Sequence, residues 1–384
     1  MKAFQVSKIA AAVMVAGLAM ASGAASAQSA VVGGGATLPE ELYKDPVDGI
    51  LPSNFEYTGV GSGAGLRAFL NNDATEFGGI AGDPIHYAGS DARLSSSQIS
   101  TYNAEYNDGE DSTEEDFGPL IQIPTVVTPV TLPYRHGTIS DLDLTTEQVC
   151  GIYAGEITTW NQIRPGAAGN INVVYRTDSS GTTELLARFL ASECSQPFAV
   201  STTFTNVVAP VGGVRAGWVG ASGSGGVATA TYAAANRIGY VSPDYVQVSN
   251  NAQVAKVDGA LPEQLPLELA LTVVPEAPAV ANYANPEAWS PNFNYSEVPA
   301  GGYPIFGFTS LIIGQCYQDA GVTAAIRGFL TEHYTTNNND AAIVAHDFVA
   351  LDPSWKNAVR DAFITTSSNL AVGNATACAD KGRG

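Results

Sequence analysis

Arg176 closes an apolar run, Ile171 to Tyr175, and is followed by Ser179-Ser180-Gly181-Thr182-Thr183 and then by a helical pattern. Two other passages share this composition. Gly33-Gly34-Gly35-Ala36-Thr37-Leu38-Pro39-Glu40 follows an apolar start and enters a helix, and Gly59-Val60-Gly61-Ser62-Gly63-Ala64-Gly65 follows a strand and enters another. Each passage sets unpaired backbone N–H groups at the positive end of a helix dipole. Glycine lets the backbone approach a ligand closely, hydroxyls rotate to donate, and Arg176 adds a planar charged donor. Such donors, repeated three times, suit a tetrahedral oxyanion. The structural alternative is that each is only an N-cap, and Thr37 to Glu40 does match a capping box, which would occupy the Thr37 hydroxyl. The chain has no Gly-x-x-x-x-Gly-Lys-Ser/Thr loop, and Ala64 stands where a dinucleotide fingerprint needs its third glycine.

Ala88-Gly89-Ser90-Asp91 adds a carboxylate. An isolated aspartate is ordinarily a turn residue. Facing an oxyanion cradle, it would repel the anion unless a proton lay between them. Inorganic phosphate carries such a proton near neutral pH and sulfate does not, so Asp91 would accept from the one and exclude the other. A site built around a required hydrogen bond discriminates by about 10⁴ to 10⁵.

The elements that must hold these groups alternate along the chain. Helical patterns begin near Pro39, Gly65, Thr146, Thr183, Ala228, Val322 and Ser354, with a capping box at Thr145–Gln148. Strand-like runs cover Phe55–Val60, Leu120–Ile123, Val126–Leu132, Ile171–Tyr175, Ile238–Val241 and Phe306–Ile313. This alternation argues for βαβ units and largely parallel sheets. Asn103 to Asp116 holds seven acids in 14 residues without the ligand spacing of a calcium loop, and reads as a solvated loop. The proline-studded stretch from Lys256 to Pro304 reads as long excursions on a lobe surface.

At 384 residues the chain has the length of two domains. Lys2 and Lys8, an apolar Ile9–Met20 and Ala25-Ser26-Ala27 read as a secretory signal peptide, 1–27, cut after Ala27; a short membrane anchor is the alternative. Losing two lysines and no acids moves the formal charge from −20 to −22, which leaves no global field for nucleic acid or anionic lipid. Anionic ligands stay admissible, because a dry cleft is governed by its own groups. Cys150, Cys194, Cys316 and Cys378 suggest two disulfides in an exported chain; three pairings are open, and proximity favours Cys150–Cys194 and Cys316–Cys378. Their spacing suits neither zinc nor redox work, so no metal and no cofactor are expected. His86, His136, His333 and His346 are scattered outside any triad or metal motif, and no Gly-x-Ser-x-Gly elbow occurs. A secreted phosphatase-like enzyme and an adhesin or scaffold are therefore the lesser readings.

Gly33 to Pro39, Gly59 to Gly63, Phe69-Leu70-Asn71-Asn72-Asp73, Ala88 to Asp91, Cys150-Gly151-Ile152-Tyr153, Tyr175-Arg176 through Leu185 and Arg237 to Val241 together resemble the DING proteins. These are a branch of the periplasmic phosphate-binding proteins that feed Pst-type ABC transporters. The chain has Ala30-Val31-Val32-Gly33 where the branch has Asp-Ile-Asn-Gly. The resemblance implies a two-lobed, type II clamshell of the periplasmic-binding-protein kind, with a mainly parallel sheet flanked by helices in each lobe. It places hinge crossings near Pro129–Leu132 and Tyr303–Phe308, so that 28–128 plus 307–384 form one lobe and 129–306 the other. Carried over residue by residue, Thr37, the Leu38 amide, Ser62 and Asp91 would bind phosphate from one lobe. Arg176, Ser180, Gly181 and Thr182 would bind it from the other, with Asp178 fixing the arginine. The implied disulfides match the pairs that proximity favours. The implied protein is a periplasmic or secreted monomer, not an enzyme, with inorganic phosphate and a Pst-type membrane permease as its partners.

Overall fold

The structure, a computed structural model, describes residues 28–109, 116–265 and 273–384. The signal peptide expected at 1–27 and residues 110–115 of the acidic segment lie outside the described residues. The chain starts in a sheet whose parallel half is β1 (Val31–Gly35) between β2 (Phe55–Gly59) and β3 (Tyr87–Ser90). Helices α1 (Glu40–Lys44), α2 (Ser62–Leu70) and α3 (Ser96–Tyr106) follow these strands. A Cβ on Gly65 would stand 2.5 Å from the Gly35 Cα, so only glycine lets α2 lie this close to the strand ends. Asn103–Tyr106, expected in a solvated loop, is instead the last turn of α3, because Tyr102 and Tyr106 are buried on its inner face.

β4 (Leu120–Pro129) carries the chain to a second unit of short strands: β5 (Tyr134–Arg135), β6 (Asp143–Leu144), β7 (Asn172–Arg176), β8 (Val219–Ala221), β9 (Arg237–Ile238) and β10 (Lys256–Val257). Its four-stranded sheet has the order β5-β9-β7-β8, while β6 pairs with β10. Around them lie α4 (Thr146–Tyr153), α5 (Trp160–Ile163), α6 (Gly181–Glu193), α7 (Phe204–Val208) and α8 (Gly223–Ala233). The predicted capping box at Thr145–Gln148 starts α4. The chain returns through β11 (Phe306–Gly314), and β12 (Val349–Ala350) edges the first sheet, whose order is β12-β4-β11-β3-β1-β2.

One strand leaves the first unit and its neighbour re-enters it, so β4 and β11 run antiparallel. β11 with β3 and β12 with β4 are antiparallel too, which makes this sheet mixed rather than mainly parallel. Val130 donates to the Ile305 carbonyl (2.8 Å) and the Tyr303 hydroxyl to that of Val130 (2.9 Å), which holds the two crossings side by side. The two runs expected at Leu120–Ile123 and Val126–Leu132 form one strand through Pro124. Proline has no N–H for the ladder, and the pairing with β11 slips by one residue there, between Thr309 and Ser310. Residues 275–292, counted with the second lobe in the expected division, pack back on the first sheet. Gln122 Nε2 donates to the Pro286 carbonyl, Trp355 Nε1 donates to that of Pro275, and the Trp289 ring packs on Trp355 and Phe363.

The disulfides are Cys150–Cys194, which joins α4 to the end of α6, and Cys316–Cys378, which ties β11's exit to the C-terminal segment. Closing loops of this length stabilises by about 4 kcal/mol each in the chain-entropy account.

Candidate functional site

β1, β2 and β3 end side by side, and each releases its loop at the carboxyl edge of the sheet, where open α/β sheets bind ligands. Two backbone amides, Val60 and Gly61, both donate to the Gly35 carbonyl, and Gly61 sits at φ +93°, which turns the chain abruptly into α2. Ser62 is thereby the first residue of α2, fully buried, and its Oγ accepts the Asp91 amide at 3.2 Å.

Thr37 does not cap α1. The N-cap position is Pro39, which makes no side-chain bond, and the Thr37 hydroxyl instead reaches residues of the second unit. Its Oγ1 accepts the Ser224 amide at 3.1 Å and lies 3.2 Å from the Ser224 hydroxyl. The capping-box reading of Thr37–Glu40 fails because the chain turns at Pro39 and carries the hydroxyl away from α1's first amides. Leu38 is buried beside it, with its carbonyl accepting from Ser242 Oγ (2.7 Å).

From the second unit, β7 ends in Arg176 and α6 opens with Ser180 as N-cap. The Ser180 side chain accepts the Thr183 amide and its carbonyl accepts the Glu184 amide, which leaves the first-turn amides of Gly181 and Thr182 without a protein acceptor among the described residues. Arg176 is 2% exposed. Its Nε donates to Asp178 Oδ1 (2.7 Å) and its Nη2 to Asp178 Oδ2, while Nη1 has no protein acceptor among the described residues. Burial pushes the Asp178 carboxyl up, but the hydrogen bonds and charge of Arg176, with the Gly223 amide at 3.1 Å, outweigh it and hold the group below the usual carboxylate range. The buried Tyr240 hydroxyl accepts the Arg176 amide (3.0 Å) and bonds Thr183 (2.7 Å), which fixes the strand-to-helix passage from beneath.

Asp91 lies between the two units. Thr309 Oγ1 donates to its Oδ1 at 2.8 Å, and Thr182 Oγ1 to its Oδ2 at 3.4 Å. Burial pushes its carboxyl up to about 7, against the opposing pull of the Thr309 bond and the Arg176 charge. In its ionised form, which burial opposes and the Thr309 bond and Arg176 charge favour, this carboxylate already receives two hydroxyls and can accept one further hydrogen bond.

Most of the expected residues thus fall in two chains of contacts, each of which crosses between the units. Thr37 touches Ser224, and the neighbouring Gly223 holds Asp178, which holds Arg176. Ser62 touches Asp91, which touches Thr182. A Cβ on Gly181 would stand 2.3 Å from Ser62 Oγ and 2.6 Å from Asp91 Cβ. Gly63 also donates to the Ser179 carbonyl (3.0 Å), so the units are closed on one another.

Two participants escaped the sequence reading. Thr309 sits opposite Val126 beside the slip in the pairing, and nothing near it in the chain marks it. Ser224 had a signal: Ala221-Ser222-Gly223-Ser224-Gly225-Gly226 is a fourth glycine-and-hydroxyl passage from strand to helix, and α8 begins at Gly223 rather than near Ala228. The histidines are engaged elsewhere. His86 accepts from Val32, His136 faces the Ala168 carbonyl, His333 that of Thr125, and His346 pairs with Asp244 and Asp48.

Two helix-flanked sheets whose strand ends close on one cleft of anion donors define a solute-binding clamshell. The family model of the PBP superfamily domain matches residues 21–337. The solved phosphate-binding protein of Stenotrophomonas maltophilia superposes with a TM-score of 0.85 at 40% identity, covering 92% of this chain and 99% of its own. A DING protein described as a high-affinity periplasmic phosphate-binding protein, solved with phosphate, gives 0.84 at 41% identity over the same shares. Among curated proteins, alkaline phosphatase L of Pseudomonas aeruginosa is 45% identical over 99% of this chain and all of its own length. A phosphate-binding protein of an unknown prokaryote is 42% identical over 91% of this chain and 99% of its own. The chain belongs to the PBP superfamily and, within it, to the DING-type phosphate-binding proteins.

Proposed function

We propose that the protein binds inorganic phosphate with high affinity between its two units, closes over it, and presents it to a Pst-type membrane permease. The observation that carries this reading is the contact of Thr37, Ser62 and Asp91 of one unit with Ser224, Gly181 and Thr182 of the other, beside the buried Arg176. On this reading Thr37, the Leu38 amide, Ser62, Arg176, Ser180, Gly181 and Thr182 donate, and Asp91 accepts. A protonated tetrahedral oxyanion satisfies that pattern: its oxygens take the donors, and its proton goes to Asp91. Sulfate would set two bare anions face to face without water. Arg176 supplies the positive charge, and Asp178 orients it while offsetting part of that charge. Excluding water strengthens every bond, and ligand shifts the open–closed balance by its preference for the closed state.

The accompanying picture is an exported monomer, cut after Ala27, in the periplasm or beyond it. The 28–128 plus 307–384 and 129–306 segments form its moving lobes, with residues 275–292 travelling with the first. Calorimetric titration of refolded, ligand-stripped protein with phosphate, sulfate and arsenate tests the function. Tight, stoichiometric phosphate binding without sulfate binding is expected, and no phosphate binding overturns the reading.

The phosphatase name that three relatives carry supports a second reading. Against it, every histidine is engaged away from the cleft, so no imidazole base stands beside a cleft hydroxyl. Sustained release from a phosphomonoester at catalytic protein concentrations, with or without divalent metal, would favour the enzyme.

A further inference from the structure

We infer that Ser224 is a positioning residue for the cleft: from the second unit it biases the Thr37 hydroxyl toward donating to the ligand, and only when the units have closed. This rests on the phosphate-binding reading above and adds to it a residue outside the ligand set.

The argument begins with the hydroxyl's inventory. Thr37 Oγ1 has one proton and two lone pairs. The Ser224 amide, at 3.1 Å, uses one lone pair. The Ser224 hydroxyl, at 3.2 Å, takes the second when it donates. In that one of the two directions open to the hydroxyl pair, the Thr37 proton points into the cleft, and an anion that offers acceptors there selects it. An unassisted hydroxyl would divide its time between donor and acceptor orientations, and a phosphate oxygen benefits from only one of them. Both residues are buried, Thr37 at 7% and Ser224 at 1% exposed, so water does not substitute for the missing partner.

Backbone geometry makes the arrangement possible. Gly223 has φ +68°, a conformation that side chains other than glycine's rarely adopt. With that turn, successive amides of α8 serve both halves of the cleft: Gly223 donates to Asp178 Oδ1, and Ser224 donates to Thr37. A Cβ at Gly223 would meet Thr37 no closer than 3.8 Å, so the constraint there is backbone conformation and not space. Thr37 and Ser224 lie 187 residues apart, one in the loop after β1 and the other in α8 of the second unit, and their contact requires the closed form. Ser224 therefore acts after encounter, on the step that retains ligand.

The test is Ser224→Ala, which removes the hydroxyl and keeps the amide. Loss of one interunit hydrogen bond and of the donor bias raises the phosphate Kd by roughly 3- to 10-fold. The increase appears in the dissociation rate, with the association rate unchanged, because the bond forms after encounter. A merely structural serine would lower the melting temperature of the ligand-free protein. A positioning serine leaves it in place and shrinks only the upward shift caused by phosphate. In a Thr37→Val background the same Ser224→Ala change has nothing left to orient and costs nothing more. An unchanged Kd and dissociation rate in Ser224→Ala, a loss confined to ligand-free stability, or an equal cost in both backgrounds would each overturn the assignment while leaving phosphate binding intact. If the parent protein takes up no phosphate, it is the underlying function that fails.

Discussion

Replacing Arg176 with alanine puts the cleft's electrostatics to the test. The guanidinium is 2% exposed and two of its nitrogens are bound to Asp178, whose side chain is 17% exposed. Removing it deletes the charged donor offered by Nη1. It also leaves Asp178 with backbone amides only, that of Gly223 at 3.1 Å among them, as a carboxylate without its counter-charge beside the place where an anion must sit. Breaking a buried charge pair from one side costs about 3–5 kcal/mol. At 1.4 kcal/mol per decade, the phosphate Kd should rise by roughly two to nearly four decades. Much of that loss is Asp178's repulsion and not the missing bond. Arg176→Ala with Asp178→Ala should therefore bind phosphate better than Arg176→Ala alone, recovering about one decade. Titration calorimetry on ligand-stripped proteins measures both, with ligand-free melting curves as the folding control. A single variant that binds within threefold of the parent would refute the site. A double variant no better than the single would refute the account of Asp178 as the arginine's counter-charge.

Asp91→Asn replaces the acceptor carboxylate with an amide that can donate to sulfate. The 10⁴- to 10⁵-fold order of discrimination that a required hydrogen bond provides should fall by about two decades or more in competition titrations, and unchanged selectivity would remove Asp91 as proton acceptor. Gly181→Ala sets a Cβ 2.6 Å from Asp91 Cβ and 2.7 Å from the Ala92 nitrogen, contacts between the two units. The ligand-free protein should melt as the parent does, while the phosphate-induced rise in melting temperature disappears; a preserved rise would show that the units close without this contact. For acid stability, burial lowers His333 from 6.5 to about 4, and His86 likewise. The unfolded chain takes up these protons as pH falls below 6.5, and the folded one does so only near 4. Stability is therefore lost across that window, by about 1.4 kcal/mol per pH unit for each group. His333→Gln should flatten the fall in urea midpoint between pH 6.5 and 4.5, and an unchanged slope would count against this origin. Cys316→Ser with Cys378→Ser should cost about 4 kcal/mol, seen as a lower denaturant midpoint, and little in phosphate affinity.

The legible parts of this molecule share a short range. Gly35 and Gly61 are recognisable in sequence because a chain that turns sharply off a strand end needs glycine locally, and Ser62 and Ser180 follow from the free amides at helix starts; Gly181 is a glycine for the space that Ser62 and Asp91 of the other unit leave it. The capping box at Thr145–Gln148 is equally local. Thr37 shows where this fails: its spacing to Glu40 suits a cap, but its partner is Ser224, in α8 of the other unit. The mixed first sheet was hidden for a similar reason. Runs such as Leu120–Ile123, Val126–Leu132 and Phe306–Ile313 read as strands, but their direction depends on which strand lies next to them, and that neighbour is far away in the chain. Residues 275–292 carried turn signals and little periodicity, so only packing on Trp355 and Phe363 reveals which unit they serve.

By itself, then, the sequence determined the kinds of group available: hydroxyls and amides at helix starts, one arginine with its aspartate, one lone carboxylate, and cysteines with an export signal. These follow from backbone geometry and helix electrostatics acting over a few residues. Only the tertiary structure decided that the groups face one another, that Thr309 and Thr182 aim at Asp91, and that Ser224 holds Thr37. Those relations join residues more than 90 positions apart, and it is the pairing of the two crossing strands, β4 and β11, that brings them within hydrogen-bonding distance.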